Sequence, residues 1–184
     1  MHEARIEETD TGRLPADDGW FILNLAEIGW ETVPGGGTWC VFEADAAPSP
    51  TLGIGLHVLR PGETPGFYHT ESEQEGFLVL SGECFAIVEG QERRMRAWDY
   101  LHCPPGTAHI TIGASEEPCA ILMVGVRSPS HAVHYPVDAV AAHHGAAVAS
   151  ATDSPQEAYA QRPPITRVRS PWPLTAGTSR PTPP

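Results

Sequence analysis

Lysine is absent from this chain: all eleven basic side chains are arginine. With alanine, proline and glycine abundant, that absence reflects genome composition rather than function. Positive charge is scarce overall, with 11 Arg against 23 Asp and Glu, for a formal net charge of −12 at pH 7. Nucleic acid and anionic membrane surfaces attract basic proteins, so no nucleic-acid partner and no membrane partner is expected. The plain consequence of the acidity is solubility. No apolar run approaches the roughly 20 residues that a bilayer-spanning helix requires. The opening segment, MHEARIEETDTG, is acidic and has no apolar stretch, so nothing there resembles a signal peptide. Cysteine is sparse too. Cys40, Cys84, Cys103 and Cys119 are widely spaced and form no C-x-x-C pair, which predicts reduced, partly buried thiols in a cytoplasmic protein. No internal repeat is present, as a two-barrel chain would require.

What the chain does contain is short β segments punctuated by Gly and Pro. Its 184 residues suit one domain with extensions. Residues 1–19 are polar and acidic and read as a flexible N-terminal arm. Residues 20–127 read as a β-barrel, opened by two apolar runs, WFILNLAEIGW and TWCVFEAD, that serve as leading strands or as segments packed against it. From Thr51 the alternation becomes strong: TLGIGLHVL places Leu52, Ile54, Leu56 and Val58 on one face. GFLVLSGECFAIVEG reads as two strands with turns at Ser81-Gly82 and Glu89-Gly90. Further short strands follow in QERRMRAWDYLHC, AHITIGA and PCAILMVGVR, with a turn across 114–118. Such spacing predicts an all-β fold, an antiparallel barrel or jelly roll, rather than βαβ units. Residues 128–184 form a C-terminal extension. PVDAVAAHHGA and SPQEAYAQ each suit a short helix, since Pro136 and Pro155 fall where a first turn tolerates proline. The seven prolines of 162–184 predict an extended tail, with Trp172 the one side chain suited to docking on the barrel or on a partner.

Two stretches carry the chemistry, PGETPGFYHTESEQEGFLVLSGE and WDYLHCPPGTAH. Residues i and i+2 of a strand share a face, so His69 and Glu71 can both look into a barrel. Glu75 follows after a short bend, and His109 opens the strand HITIG behind a Pro-Gly turn. Imidazole nitrogens with carboxylate oxygens suit Fe(II), Mn(II), Ni(II), Co(II) or Zn(II), and such a set leaves coordination positions open for chemistry.

These residues resemble the cupin superfamily, whose first motif is roughly G-x5-H-x-H-x3,4-E-x6-G and whose second is G-x5-P-x-G-x2-H-x3-N. Here the first motif spans 61–82, with Glu75 six residues before Gly82, and the second spans 98–113, with Trp98, Pro104, Gly106 and His109 in register. Asp99 stands beside the motif's first position, and the resemblance covers about residues 51–126. It implies a double-stranded β-helix, or jelly-roll, barrel, assembled as a homodimer. Trp98 replaces a Gly and Gly113 replaces the terminal Asn. In the first motif two alignments are open. Three residues before Glu75 place the paired positions on His69 and Glu71; four place them on Tyr68 and Thr70 and turn His69 away.

The resemblance implies one divalent metal ion, Fe, Mn, Ni or Zn, held by His69, Glu71, Glu75 and His109. Tyr68 and an unligated Glu71 are the candidate acid or base. Glu71 also belongs to the run Glu71, Glu73, Glu75, and such runs are usually solvated. His57 is a further candidate for lining the cavity, as are Tyr68, Phe77, Tyr100 and Met123, which core packing explains equally well. His102 is expected to be structural, and His143-His144 suits a helix C-terminus rather than a second metal site. Cys103, six residues before His109, lies close to the proposed site. The expected function is a mononuclear metal-dependent enzyme acting on a small organic molecule, of dioxygenase, isomerase or cyclase type; the alternative is a non-catalytic cupin module that binds a small molecule or metal.

Overall fold

Glycine sets the hairpins of the barrel. Glu89 and Gly90 both have positive φ (50° and 68°), the primed two-residue turn whose twist matches the strands it joins. Gly82, at φ 70°, turns where a Cβ would stand 2.5 Å from the carbonyl oxygen of Pro118. The computed structural model describes residues 2–173, so the end of the Pro-rich tail, 174–184, lies outside the described residues. In chain order the elements are β1 (Ile6–Thr9), β2 (Gly12–Pro15), β3 (Trp30–Thr32), β4 (Thr38–Val41), β5 (Leu52–Leu59), β6 (Thr70–Glu71) and β7 (Glu75–Ser81). Then come β8 (Glu83–Val88), β9 (Gln91–Arg96), β10 (Tyr100–Cys103), β11 (His109–Gly113), β12 (Cys119–Val126) and β13 (Val133–His134). Two short helices, α1 (Ala139–His143) and α2 (Pro155–Ala158), precede β14 (Thr166–Val168). All strand pairings are antiparallel, as the all-β jelly-roll expectation requires.

Seven strands form one sheet in the order β10-β7-β12-β5-β4-β3-β14, and three form a second in the order β11-β8-β9. The inner faces of the two sheets share one apolar cluster, built from Leu59, Phe77, Val79, Cys84, Ala86, Met95, Cys103, Cys119 and Ile121. Period-2 alternation sends the other residues outward, and both outer faces are covered. Behind the small sheet, Ile87, Ile110 and Ile112 pack with Tyr68, Ala141 and Ala146. Behind the large sheet, Leu56 and Val58 pack under Ile28 and the fully buried Trp30. The apolar face of β5 therefore looks out of the barrel at Leu56 and Val58, while His57 and Leu59 take the other face. Trp172 docks on this outer layer, one of the two destinations open to it.

The described segments on either side of the barrel carry strands that their composition does not predict. The arm forms the β1–β2 hairpin, closed by Thr9, whose hydroxyl donates to the carbonyl of Gly12 (2.6 Å) and accepts from its N–H (3.2 Å). Local side-chain hydrogen bonds shape the turn, and the Arg13 N–H donates to the carbonyl of Glu27 (2.8 Å). Asp138 and Ser154 cap the two helices, and Pro155 occupies the first turn of α2 as expected. β14 adds to the large sheet beside β3, in a segment whose prolines hid it.

The two departures from the second motif have physical reasons. A Cβ at Gly113 would lie 2.0 Å from the carbonyl oxygen of Arg60, because the Arg60–Glu63 turn is hydrogen-bonded against this residue. Only glycine permits that approach. Trp98 has a left-handed backbone (φ 77°), the region that favours glycine, and is 76 % exposed. Left-handed backbone costs a non-glycine residue roughly 1–2 kcal/mol. Trp98→Gly is expected to raise stability by about 0.5–1 kcal/mol, after allowing for glycine's freedom in the unfolded chain. Gly113→Asn is expected to lower it by about 2 kcal/mol or more, since the clash is with backbone. Urea denaturation of both variants beside wild type checks the pair.

Candidate metal centre

His69 and His109 face each other across two chain segments as a hydrogen-bonded backbone pair. The N–H of His69 donates to the carbonyl of His109 (3.1 Å), and the N–H of His109 donates to that of His69 (2.8 Å). Their rings stand with centroids 4.9 Å apart. Glu75, the first residue of β7, brings its carboxylate Oε2 to 3.1 Å from His109 Nε2. The three side chains place one ligand-type atom each within 4.8 Å of one another, the cluster of metal-ligating type found among the described residues.

Each imidazole is held by its other nitrogen. His69 Nδ1 lies 2.7 Å from the carbonyl oxygen of Phe67, and His109 Nδ1 lies 3.0 Å from that of Thr107. A carbonyl can only accept, so the network assigns the proton to Nδ1 and turns Nε2 toward the cluster, the outer-shell arrangement that metal-binding histidines use. His109 Nε2 and Glu75 Oε2 are both buried and in ion-pair contact, but neither makes a well-formed hydrogen bond. A buried pair so placed is costly without further compensation, and a cation shared between the two atoms satisfies both. Burial alone would lower the His109 pKa, but the neighbouring Cys103 and Glu75 outweigh it and push it up to about 10. Positive charge is thus favoured at this point of the protein. For His69, burial and then the proximity of His109 lower the pKa. The donor set fits a divalent metal.

Glu71 stands beside the cluster, with Oε1 3.8 Å from His69 Nε2. Burial first, and then the charge of Glu75, push its carboxyl up to about 7. Both groups border a cavity of about 440 Å³ that also meets His57, Met123, Arg127 and His131. Arg127 is not free there, because Glu43 accepts from both its terminal nitrogens, at 2.7 and 2.9 Å. His57 stacks on Trp39 with centroids 6.0 Å apart, and burial, helped by Arg162, brings its pKa down to about 4.

The remaining candidates divide between the site and other parts of the barrel. Tyr68 is a correction: its ring is buried behind the small sheet, and its hydroxyl accepts from the N–H of Gly90 (3.0 Å), away from the cavity. The alternation that turns His69 inward turns Tyr68 outward, which is the three-residue alignment of the first motif. Phe77 packs against His109 at 5.0 Å between centroids. Met123 lines the cavity, and Tyr100 is exposed on the edge strand. Cys103 is buried in the inner cluster, and the other three cysteines are also buried and free. His102 is exposed; His144 contacts Glu92 (2.6 Å), away from the site. His131 went unread in the sequence, because it lies beyond both motifs.

Residues 55–125 match the family described as "Cupin domain", a span that includes His57, both histidines of the cluster and Glu75. This segment is a cupin domain. Among solved structures, this cupin is similar to a sugar phosphate isomerase of the cupin superfamily from Silicibacter pomeroyi, at 26% identity over 53% of this chain and 64% of that one, with a TM-score of 0.48. It is also similar to KdgF from Halomonas sp. (21% identity, 61% and 97% coverage, TM-score 0.49) and to the DMSP lyase DddQ from Ruegeria pomeroyi (21%, 55% and 50%, 0.43). The chain thus spans less than two thirds of the Silicibacter protein and half of the Ruegeria one. No curated protein matches it. No helix among the described residues is long and apolar enough to cross a membrane.

Tyr68→Phe is expected to cost about 1 kcal/mol of stability through the lost hydrogen bond to Gly90, and to leave metal affinity unchanged. Thermal unfolding and metal titration of this one variant separate the core role from a role in the site.

Proposed function

We propose that this cupin is a metal-dependent enzyme acting on a small organic molecule, with one divalent ion, Fe, Mn, Ni or Zn, held by His69, Glu75 and His109. The observation that carries the proposal is the pair of buried ligand atoms, His109 Nε2 and Glu75 Oε2, 3.1 Å apart without a well-formed hydrogen bond, beside a second imidazole held by its Nδ1 in the same way. A bound divalent ion supplies Lewis acidity toward a substrate oxygen. The chain's own residues supply the rest. Two backbone carbonyls hold the imidazoles in place, and Phe77 and Met123 give the site apolar walls.

Glu71 is placed to hold or release a proton at Oε1 beside the ion, since a carboxyl raised to about 7 is half protonated near neutral pH. That favours isomerase or cyclase chemistry, which moves protons, over the dioxygenase type. With Arg127 engaged by Glu43, the cavity has no free guanidinium to clamp a phosphate among its described lining residues. The proposed substrate is therefore a small molecule recognised through oxygen atoms and apolar contact. The expected homodimer and cytoplasmic location belong to the same proposal.

Elemental analysis of purified, tag-free protein tests the reading. Wild type is expected to carry about one equivalent of metal, and His69→Ala, Glu75→Gln and His109→Ala each to lower affinity at least tenfold. Glu71→Gln is expected to keep its metal. A wild type that takes up none of the four ions on reconstitution sinks the proposal, whereas tight small-molecule binding by loaded protein without turnover assigns the non-catalytic alternative.

A further inference from the structure

Beyond β12 the chain turns back across the opening of the cavity, and this return segment is tied down at several points. Val133 and His134 pair with Glu71 and Thr70, and Ser72 donates its N–H to the carbonyl of Ala132 (2.9 Å) while its hydroxyl accepts from the N–H of Ala132 (2.8 Å). Between these ties lies Glu73, whose carboxylate is nearly buried. It accepts from the hydroxyl of Ser72 (2.5 Å), from the hydroxyl of Ser128, and from Nδ1 of His131 (2.8 Å). An ionised carboxylate can only accept, so it fixes the His131 proton on Nδ1 and leaves a lone pair on Nε2.

That nitrogen makes no hydrogen bond among the described residues. It stands 4.0 Å from Glu71 Oε1, and the ring lines the same cavity as Glu71 and Glu75. A carboxylate that holds an imidazole by Nδ1, with the far nitrogen turned into a cavity, is the arrangement of an oriented proton-transfer group. Pinning the return segment does not require it, since Ser72 and Ser128 already bind Glu73.

We propose that His131 is a catalytic acid–base residue of this cavity, positioned by Glu73, and that its Nε2 exchanges a proton with the small molecule held beside Glu71. The proposal rests on the cavity being the metal-dependent site described above. In the step assigned to it, a proton leaves an O–H of the substrate, or a C–H next to a carbonyl, for the lone pair of Nε2. The electron pair stays on the substrate, and the imidazolium is balanced by Glu73 until the proton is returned. No oxidant or reductant enters. The chemical class follows: a substrate with an exchangeable proton next to an oxygen that reaches the metal centre.

Azide titration of the Co(II)-loaded protein, read by visible absorption, tests this without a known substrate. Wild type, His131→Ala, His131→Gln and Glu73→Gln are each expected to load one equivalent of Co(II). Azide taken up as hydrazoic acid gives its proton to Nε2, and the imidazolium so formed donates to the bound anion; affinity is therefore expected to fall about tenfold in His131→Ala, as for a lost hydrogen bond to a charged group. It should recover to within about threefold in His131→Gln, which keeps a donor, and fall again in Glu73→Gln, where the ring loses the carboxylate that balances its charge. Azide affinities of all three variants within twofold of wild type, with Co(II) loading intact, overturn the proposal and leave His131 a pin for the return segment. A loaded wild type that refuses azide also overturns it, and leaves the metal reading standing. A wild type that takes no Co(II) overturns the metal reading and this proposal together. If His131→Ala fails to load, His131→Gln and Glu73→Gln decide: a loss of affinity in Glu73→Gln alone supports the proposal, and no loss in either overturns it.

Discussion

The two backbone hydrogen bonds exchanged by His69 and His109 are the constraint on which the site depends. They join segments forty residues apart at one point, and because strand residues alternate, they decide which side chains face each other. With the pair in register, both imidazoles turn to one side, Glu75 meets them at the start of β7, and Tyr68 is sent to the opposite core. A slip of one residue would exchange His69 for its neighbours and dissolve the cluster. The carbonyls of Phe67 and Thr107, each two residues before its histidine, complete the arrangement by fixing the tautomers. Both imidazole orientations therefore derive from main chain, which places the candidate metal centre under the control of backbone pairing.

Charge is distributed around this point in an ordered way. The buried positions at the cluster favour a cation, as the raised pKa of His109 indicates, while Glu71 beside it is kept from ionising readily by burial and by Glu75. Arg127 is neutralised by Glu43 at the cavity wall, and Glu73 is satisfied by two hydroxyls and an imidazole at its opening. A chain with an excess of acidic groups thus presents few unbalanced charges inside the cavity. The acidity is mostly a property of its surface.

Much of this was legible in the sequence, and the parts that were not share a cause. The β class, the turns at Gly82 and Gly90, both capped helices and the pairing of His69 with Glu75 and His109 follow from local periodicity and motif spacing. Spacing alone left two alignments of the first motif open, because a bend of three or four residues before Glu75 satisfies it equally; long-range pairing with His109 selects one. His131 and Ser128 were invisible for the same reason. They reach the cavity only through contacts with Glu73 more than fifty residues away. The arm and β14 were read by composition as loose, yet each is fixed by hydrogen bonds to a distant partner. Trp98 and Gly113, in turn, make sense only once the φ of one and the backbone contact of the other are known.

The place of β14 next to β3 has a consequence for how this protein reaches its native state. The pairing of Thr166 with Thr32, and of Val168 with Trp30, joins residues about 135 positions apart, and Trp172 seals the same layer. Such distant contacts are slow to form, since the intervening chain must be ordered before they can be made. During synthesis Ile28 and Trp30 can cover Leu56 and Val58 early, but the free edge of β3 stays unpaired until nearly all the described residues have left the ribosome. The inner barrel, whose strands lie between residues 52 and 126, can close before that. The nascent barrel is thus left for a time with an unpaired strand edge, and that interval is when it is most exposed to capture by chaperones or by other chains.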